Sequence, residues 1–472
     1  MLDKEWTSCT LPASFAGYFD HASEELPEAE YTSFRQLCEQ RLTLLITTLE
    51  EQYDESRSTT TAFPQEATVG WLASLIPLAS PPGPVVYPWH TPSLQSLAQR
   101  ALCLLAIASN PVDIRPETTV TPPTQTPVLC DSTSQDTVSR TLAKHFADNL
   151  VRHHVIPYFT QATPRWETSR PHAGKPKQRT QEERRIQFHL DQPWKKKHPG
   201  TVLILAWCAK HYPVPWTQGQ MMQFVPATLT LLDDYDCYYK WWGVAIGRDL
   251  LANDQQGYTA HLKSSGLTLA FYNALTQCLI YRADEALARE LLVMVYQELP
   301  QWISYMHTPR SEKWYQSMEQ VVYDGILKNF LYHGERVGLL PLLFEHVAVY
   351  ARALGLSTVA YLKPLLAECC KRLQDIIMGS PDLLLVHLGA AQAMRVLIQT
   401  CRPRIAYYDE MITHAFEASW AQLSDPINAT LSELPQLRAL LLSIVDELQK
   451  GHPVEISEST TVTTQDGFRP LG

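Results

Sequence analysis

Apolar residues recur along most of the chain at the positions that share one face of an α-helix. Two segments show the pattern: Leu437, Leu440, Leu441, Ile444 and Leu448 in one, and Leu339, Leu343, Val347, Tyr350 and Leu354 in the other. This spacing matches the 3.6 residues of a helical turn. No segment alternates apolar and polar residues as a half-buried strand does. The pattern therefore predicts an all-α protein.

Glycine, serine and proline mark the predicted helix ends. Gly355 is expected to take the left-handed position that ends one helix, and Ser357 to cap the next. Ser380 followed by Pro381 predicts an N-cap and a first helical position. Short connections through 201–450 place consecutive helices antiparallel. Because no strict repeat is visible, we predict an α-solenoid of degenerate HEAT-like helical hairpins.

Composition divides the chain into six segments. Residues 111–137 are crowded with Pro, Thr and Ser, and residues 161–199 are polar and basic, so neither shows the pattern of a packed helix. The predicted order is an N-terminal helical segment (1–110), a Pro/Thr-rich linker (111–137), a helix (138–160), a basic flexible loop (161–199), the HEAT-like helical array (200–450) and a disordered tail (451–472).

Charge is unevenly distributed. The net charge of −10 argues against a general nucleic-acid binder, which needs a basic face. Ten Lys or Arg but only four Asp or Glu lie between 165 and 197. Few aromatic residues interleave with these cations, which favours a solvated loop over a phosphate-binding patch. We expect no direct nucleic-acid partner.

The cysteine pattern and the apolar runs indicate a cytoplasmic and nuclear protein. The ten cysteines form no C-x-x-C pair and no zinc-module spacing, and residues such as Cys278, Cys369 and Cys370 lie in apolar helical runs. They are interpreted as reduced core thiols. The N-terminus lacks the apolar region of a signal peptide, and the run 202–208 is too short to cross a bilayer. No membrane partner is expected.

The adjacent acids Asp233 and Asp234 raise the possibility of a metal-dependent enzyme. All-helical isoprenoid synthases bind magnesium on two adjacent Asp followed by a third acid, but Cys237 occupies that third position here. The second acidic box, beginning at Asn253, lacks its later residues. Helix-end roles are therefore preferred for the two acids. We predict no cofactor, no metal site and no catalysis.

Several motifs occur in a defined order from 194 onward. They are Trp194-Lys195, Pro199-Gly200, Leu205-Ala206-Trp207-Cys208, Trp216, Val225-Pro226, the run Leu229 to Tyr235 that contains Asp233 and Asp234, Lys240, Gly243, Ser265-Gly266-Leu267, Leu362-Lys363-Pro364-Leu365-Leu366 and Cys401-Arg402-Pro403-Arg404-Ile405. This series resembles the smaller Tel-two-interacting family, a subunit family of the triple-T co-chaperone complex. The resemblance covers roughly 194–404.

The resemblance implies a non-catalytic solenoid that binds the larger Tel-two-interacting subunit and, with the Tel-two protein, forms the complex. It further implies work with the Hsp-ninety chaperone and its R-two-TP adaptor, and phosphatidylinositol-3-kinase-like kinases as clients. Two alternatives remain: a HEAT-type transport or nucleic-acid-associated adaptor that uses the basic loop, and, less favoured, the magnesium-dependent isoprenoid-type enzyme.

The family-signature residues are expected to be structural or to face a partner. They are Trp194, Lys195, Trp207, Asp233, Asp234, Tyr235, Lys240, Gly243, Lys363, Pro364, Arg402, Pro403 and Arg404. The acids at 233 and 234 are predicted to cap the following helix or to meet a base such as Lys240. Lys363 is placed in the first turn of its helix, and Trp207 in the core. Arg402 and Arg404 suit carboxylate pairing, within the stack or across an interface.

Overall fold

The computed structural model describes residues 28–56, 65–80, 83–84, 90–109, 132–160, 192–196, 198, 200–257, 260–279 and 287–451. Throughout these ranges the regular elements are helices, in agreement with the predicted all-α class. The chain forms two compact units, Met1–Ala274 and Leu275–Gly472. Nearly all of the predicted tail lies outside the described residues, as do most of the predicted linker and basic loop.

The first unit contains ten helices in its described part, and an eleventh crosses its boundary. They are α1 (Glu28–Ser56), α2 (Gln65–Ala79), α3 (Pro92–Ser109), α4 (Ser132–His154), α5 (Ile156–Thr160), α6 (Pro193–Lys196), α7 (Thr201–His211), α8 (Gln218–Leu232), α9 (Cys237–Gln256), α10 (His261–Ser264) and α11 (Leu267–Gln277).

Packing in the first unit follows chain order with a few longer-range contacts. Helix α3 contacts α1, α2 and α4, while α7 contacts α2, α4 and α9, and α8 lies along α9. Helix α4 begins at Ser132, inside the predicted linker. The sequence does not indicate this start, because the first turn of the helix is polar and shows no apolar periodicity. Similarly, α6 lies inside the predicted basic loop.

The second unit contains nine α-helices, one π-helical turn and three 3-10 segments in its described part. The α-helices are α12 (Ala288–Met306), α13 (Glu312–Gln320), α14 (Lys328–His333), α15 (Leu340–Leu354), α16 (Leu362–Gln374), α17 (Pro381–Thr400), α18 (Arg402–Ile405), α19 (Asp409–Leu423) and α20 (Leu434–Gly451). The π-helical turn is Val321–Leu327, and the 3-10 segments are Gly355–Tyr361, Ala406–Tyr408 and Pro426–Asn428.

The last helices of this unit pack as two layers. Helices α15, α17 and α20 contact one another in succession, and α16 contacts α19 in the second layer. Contacts from α16 to α17 and from α19 to α20 join the layers. Helix α17 is thus covered by α15, α16 and α20, which explains why this helix is apolar on more than one face.

Of the three predicted helix-end roles, one is confirmed, one is confirmed in part and one is wrong. Gly355 ends α15 with the positive φ expected, +57°, which glycine adopts readily, but its ψ of −131° is not that of the left-handed helical conformation. The Ser380 hydroxyl accepts from the Leu383 N–H at the start of α17, with Pro381 at the first helical position. The capping role of Ser357 is wrong, because a 3-10 segment continues past it and α16 begins without a side-chain cap.

Two helical stretches are long and apolar enough, by length and composition, to cross a membrane: Leu340–Gln374 and Pro381–Thr400. In each, 56% of the most apolar window is buried inside the protein. The first is also interrupted at Gly355, where the helix changes to 3-10 geometry. Packing within the second unit accounts for this apolar surface.

Candidate functional site

The first signature residues lie on the short helix α6, which is held by aromatic contacts. Trp194 is fully buried (0% exposed). Its ring stacks on Phe159, with centroids 5.0 Å apart and planes 12° apart, and meets the edge of Tyr239 at 4.8 Å. We call Phe159, Trp194, Lys195, Asp234 and Tyr239 the signature node. The node joins α5, α6, α9 and the turn between α8 and α9.

A buried ion pair forms the polar centre of this node. The Lys195 ammonium lies 2.7 Å from Asp234 Oδ1, and the two side chains are 10% and 1% exposed. The same ammonium lies 4.4 Å from the centroid of the Tyr239 ring, within cation–π range. Asp234 Oδ1 also accepts from the Asp236 N–H at 2.9 Å. One carboxylate thus ties α6 to the turn that begins α9.

Asp234 meets a base, as predicted, but that base is Lys195 and not Lys240, and the predicted capping role is corrected. Asp236, rather than Asp233 or Asp234, caps the following helix, because its carboxylate accepts from the Tyr238 N–H at 2.8 Å. Lys240 does not meet either acid; its ammonium donates to the Leu232 carbonyl at 2.8 Å, one of the carbonyls left at the end of α8. Asp233 is exposed at the C-terminal end of α8.

Gly243 marks the close approach of α8 and α9. A Cβ at this position would lie 2.9 Å from both the backbone nitrogen and Cγ of Leu232. Trp207 is buried on α7, as predicted, whereas Tyr235 is about half exposed. Most signature residues of the first unit therefore support packing, and Asp233 and Tyr235 are the ones that reach the surface.

The later landmarks belong to the second unit. Lys363 and Pro364 are exposed in the first turn of α16, where Lys363 was predicted. Arg402 pairs with Glu447 of α20 at 2.9 Å, a carboxylate pair within the unit. The Arg404 guanidinium lies 5.9 Å from the exposed ring of Tyr407. Pro403, between the two arginines, is exposed at the start of α18.

The cysteines of the described residues are free thiols in the packed interior. No group of three or more His, Cys, Asp or Glu with metal-binding geometry occurs within the described ranges. Cys278, Cys369 and Cys370 are buried, as predicted. Burial raises the pKa of the Cys370 thiol to about 12 and that of Cys401 to about 11, so both stay protonated at neutral pH.

Sequence reasoning missed one surface, which is built from two neighbouring turns of the second unit. We call residues 375–380 and 424–428 the loop edge. The Gly379 N–H donates to Asn428 Oδ1 at 2.7 Å, and Asn428 Nδ2 donates to the Gln422 carbonyl at 3.0 Å. Three apolar side chains project from it: Ile376, Met378 and Ile427 are 60%, 68% and 56% exposed.

The buried side chain of His387 is hydrogen-bonded to the first turn of the loop edge. Desolvation lowers the pKa of His387 to about 4, so the imidazole is neutral at pH 7. Its Nε2 lies 3.0 Å from the Asp375 carbonyl and its Nδ1 lies 3.4 Å from the Ser419 hydroxyl. The first contact requires a donor, so Nε2 carries the proton and Nδ1 accepts from Ser419.

Comparison with known proteins gives one match. The model of the Tti2 family matches residues 116–379, more than half of the chain. That range contains the whole signature node and the first turn of the loop edge as far as Gly379. It excludes the landmark at Arg402, Pro403 and Arg404, and the second turn of the loop edge. None of the curated proteins and none of the solved structures matches the chain.

Proposed function

The chain belongs to the Tti2 family, and from this premise we propose that it is a non-catalytic scaffold subunit of the triple-T co-chaperone complex. Its direct partner is the larger Tel-two-interacting subunit, and the Tel-two protein completes the complex. The family match over 116–379 is the observation that carries the proposal.

The helical packing supports a scaffold role. We interpret the two layers formed by α15 to α20 as HEAT-like helical hairpins. In such arrays each hairpin contacts its neighbours, so a long surface is presented without a pocket. A surface of this kind suits an extended helical partner, since a stable complex buries more than about 1,000 Å².

Burial of the signature node indicates that its residues stabilise the fold and do not contact the partner. Trp194, Lys195 and Asp234 are buried, so their role is to hold α6, α8 and α9 together. Partner contacts then fall to exposed residues.

The cellular role follows from the complex. We propose that the protein acts in the cytoplasm and nucleus, where it supports the maturation and stability of phosphatidylinositol-3-kinase-like kinases through the Hsp-ninety chaperone and its R-two-TP adaptor. Depleting the protein should then lower the steady-state level of these kinases while leaving the level of their messenger RNA unchanged. An unchanged kinase level would contradict the client role.

Direct binding is the sharpest test of the proposal. The purified full-length chain should co-elute with the purified larger Tel-two-interacting subunit in gel filtration, in a complex of fixed stoichiometry. A nucleic-acid-associated adaptor would instead bind a labelled oligonucleotide with strong salt dependence. Separate elution of the two proteins at micromolar concentration would contradict the scaffold proposal.

A further inference from the structure

We propose that the loop edge is a protein-docking surface, whose occupant is a partner patch with an apolar centre and a rim of Arg and Lys. This inference rests on the proposed function, because that function supplies the partner with which it is tested. It assigns the contact to residues 375–380 and 424–428.

The apolar centre of the loop edge groups several exposed apolar side chains, whereas most protein surfaces expose such side chains singly. Single exposed apolar residues are common in soluble proteins, whereas contiguous ones indicate interaction sites. Ile376, Met378 and Ile427 project from two turns that are hydrogen-bonded to each other. Leu385, 46% exposed in the second turn of α17, lies on the same helical face as Pro381, next to the first loop.

The two turns are held rigidly, which lowers the entropy lost on binding. Ile377 and Asn428 are fully buried between the exposed side chains and anchor one turn each. Met378 has a φ of +50° and Gly379 a φ of +71°. Methionine adopts this left-handed region rarely. The backbone thus holds the Met378 side chain outward, and methionine packs adaptably at binding surfaces.

Charge around the loop edge identifies the complementary partner. No Lys or Arg occurs in 373–394 or in 405–437. The acids of these stretches that lie in or directly beside the two turns are Asp375, Asp382 and Asp425. Arg372 pairs with Asp375 at 3.1 Å, and the Asp425 carboxylate accepts from the Ile427 N–H, while Asp382 is exposed at the start of α17.

An apolar centre with an acidic rim excludes polyanionic occupants and selects basic ones. Nucleic acid and anionic lipid surfaces are repelled by such a rim. A protein patch that carries Arg or Lys around an apolar anchor gains burial at the centre and steering at the rim. The loop edge therefore provides the central anchor of a larger protein interface.

The test uses the full-length chain and the purified larger Tel-two-interacting subunit. The double variant Ile376→Asp/Met378→Asp replaces the two most exposed anchors. Aspartate is well tolerated at the positive φ of Met378, and Ile376 is 60% exposed, so this variant should keep the fold. Central apolar anchors dominate interface energies, and we expect the dissociation constant measured by calorimetry to rise at least about 100-fold.

Leu356→Asp provides the matched control. Leu356 is 68% exposed, as Met378 is, and it lies in the 3-10 segment before α16, at the opposite end of that helix from the loop edge. A 13-residue helix separates the two sites by about 20 Å. The control should change the dissociation constant by less than about 3-fold if the loop edge is the docking surface.

A third variant tests the rim. Asp382→Lys reverses one exposed charge, and it should weaken binding about 3- to 10-fold at low salt and less at high salt, because screening weakens rim electrostatics. Wild-type strength at low salt would contradict the basic rim of the partner.

The outcomes separate the two proposals. If the wild-type chain binds and the double variant binds equally well, the docking inference is overturned while the scaffold proposal survives. If Leu356→Asp weakens binding as much as the double variant does, the effect is not specific to the loop edge and the inference is again overturned. If the wild-type chain does not bind the subunit, both proposals fail.

Discussion

The signature node and the loop edge are both junctions where one helix turns into the next, yet they are built in opposite ways. At the turn between α8 and α9, a carboxylate and an ammonium are buried among aromatic rings. At the turn between α16 and α17, an amide and an imidazole are buried and apolar side chains face the surface. Polar groups thus fix both turns. The first exposes the ring of Tyr235, whereas the second exposes a cluster of three aliphatic side chains.

This difference separates fold-determining residues from candidate contact residues. A buried charge must be paired, so the partners at the node cannot be changed singly without a large loss of stability. At the loop edge the exposed side chains make few internal contacts, so they can be replaced with little effect on folding. The predictions below test this comparison.

Breaking the ion pair should give the largest effect. Lys195→Met leaves Asp234 charged in a site where its side chain is 1% exposed. Removing one partner of a buried pair costs about 3–5 kcal/mol. We expect the free energy of unfolding, measured by chemical denaturation, to fall by that amount.

The double variant Lys195→Met/Asp234→Asn distinguishes burial of a charge from loss of packing. Asparagine keeps an oxygen that accepts from the Asp236 N–H, and it removes the charge. The double variant should therefore be more stable than Lys195→Met alone. Equal or lower stability of the double variant would mean that the ion pair is not the main determinant at the node.

Lowering the pH should reduce the free energy of unfolding through His387, which lies beneath the loop edge. The folded-state pKa of His387 is lowered from 6.5 to about 4, so the unfolded chain binds a proton between these values and the folded chain does not. Stability is therefore lost as pH falls from about 6.5 to about 4, by on the order of 3 kcal/mol for this group. His387→Asn should give a flatter dependence of the unfolding free energy on pH. Parallel curves for the two proteins would mean that His387 has the same pKa in the folded and the unfolded chain.

The sequence predicts the class of the fold better than the roles of its polar residues. The spacing of Leu339, Leu343 and Val347 defines a helix because it reflects one periodic face. The role of Asp234 depends on Lys195, which is distant in the chain and lies in a segment of polar composition. No local pattern specifies that pairing, and Lys240, four residues after Asp236, offered a closer partner in sequence.

The loop edge escaped prediction for a similar reason. Ser380 and Pro381 predict the start of α17, and the structure confirms it. The exposure of Met378 and the contact of Gly379 with the turn at Ile427 and Asn428 arise only when α16, α17 and α19 pack. The absence of Lys and Arg from 405–437 was the one sequence signal available.

Adding one methyl group at Gly243, where α8 and α9 approach each other closely, should have an intermediate effect. In Gly243→Ala the new Cβ would lie 2.9 Å from the Leu232 backbone nitrogen, so α8 and α9 must move apart. Overpacking of this kind costs about 1–3 kcal/mol. Gly70→Ala on α2 is the matched control, because no heavy atom lies within 4 Å of its Cβ. The control should gain about 0.5–1 kcal/mol, and a similar gain for Gly243→Ala would show that the helices are not in close contact.

The smallest effect is expected at Arg402 and Arg404, at the end of α17 that is remote from the loop edge. Arg402 pairs with Glu447 of α20, with side chains 44% and 19% exposed. Solvent-exposed pairs contribute at most about 1 kcal/mol, so Arg402→Ala should lower the unfolding free energy by no more than that. Arg404→Ala should leave it unchanged, because its contact with Tyr407 lies at the surface.

The same two arginines test how far along α17 the docking surface extends. Helix α17 has 20 residues and separates them from the loop edge by about 30 Å. Charge reversal of both should therefore leave binding of the larger Tel-two-interacting subunit within about 3-fold of the wild-type value in calorimetry. A loss comparable to that of Ile376→Asp/Met378→Asp would mean that the partner contacts both ends of α17, so the docking surface would not be confined to the loop edge.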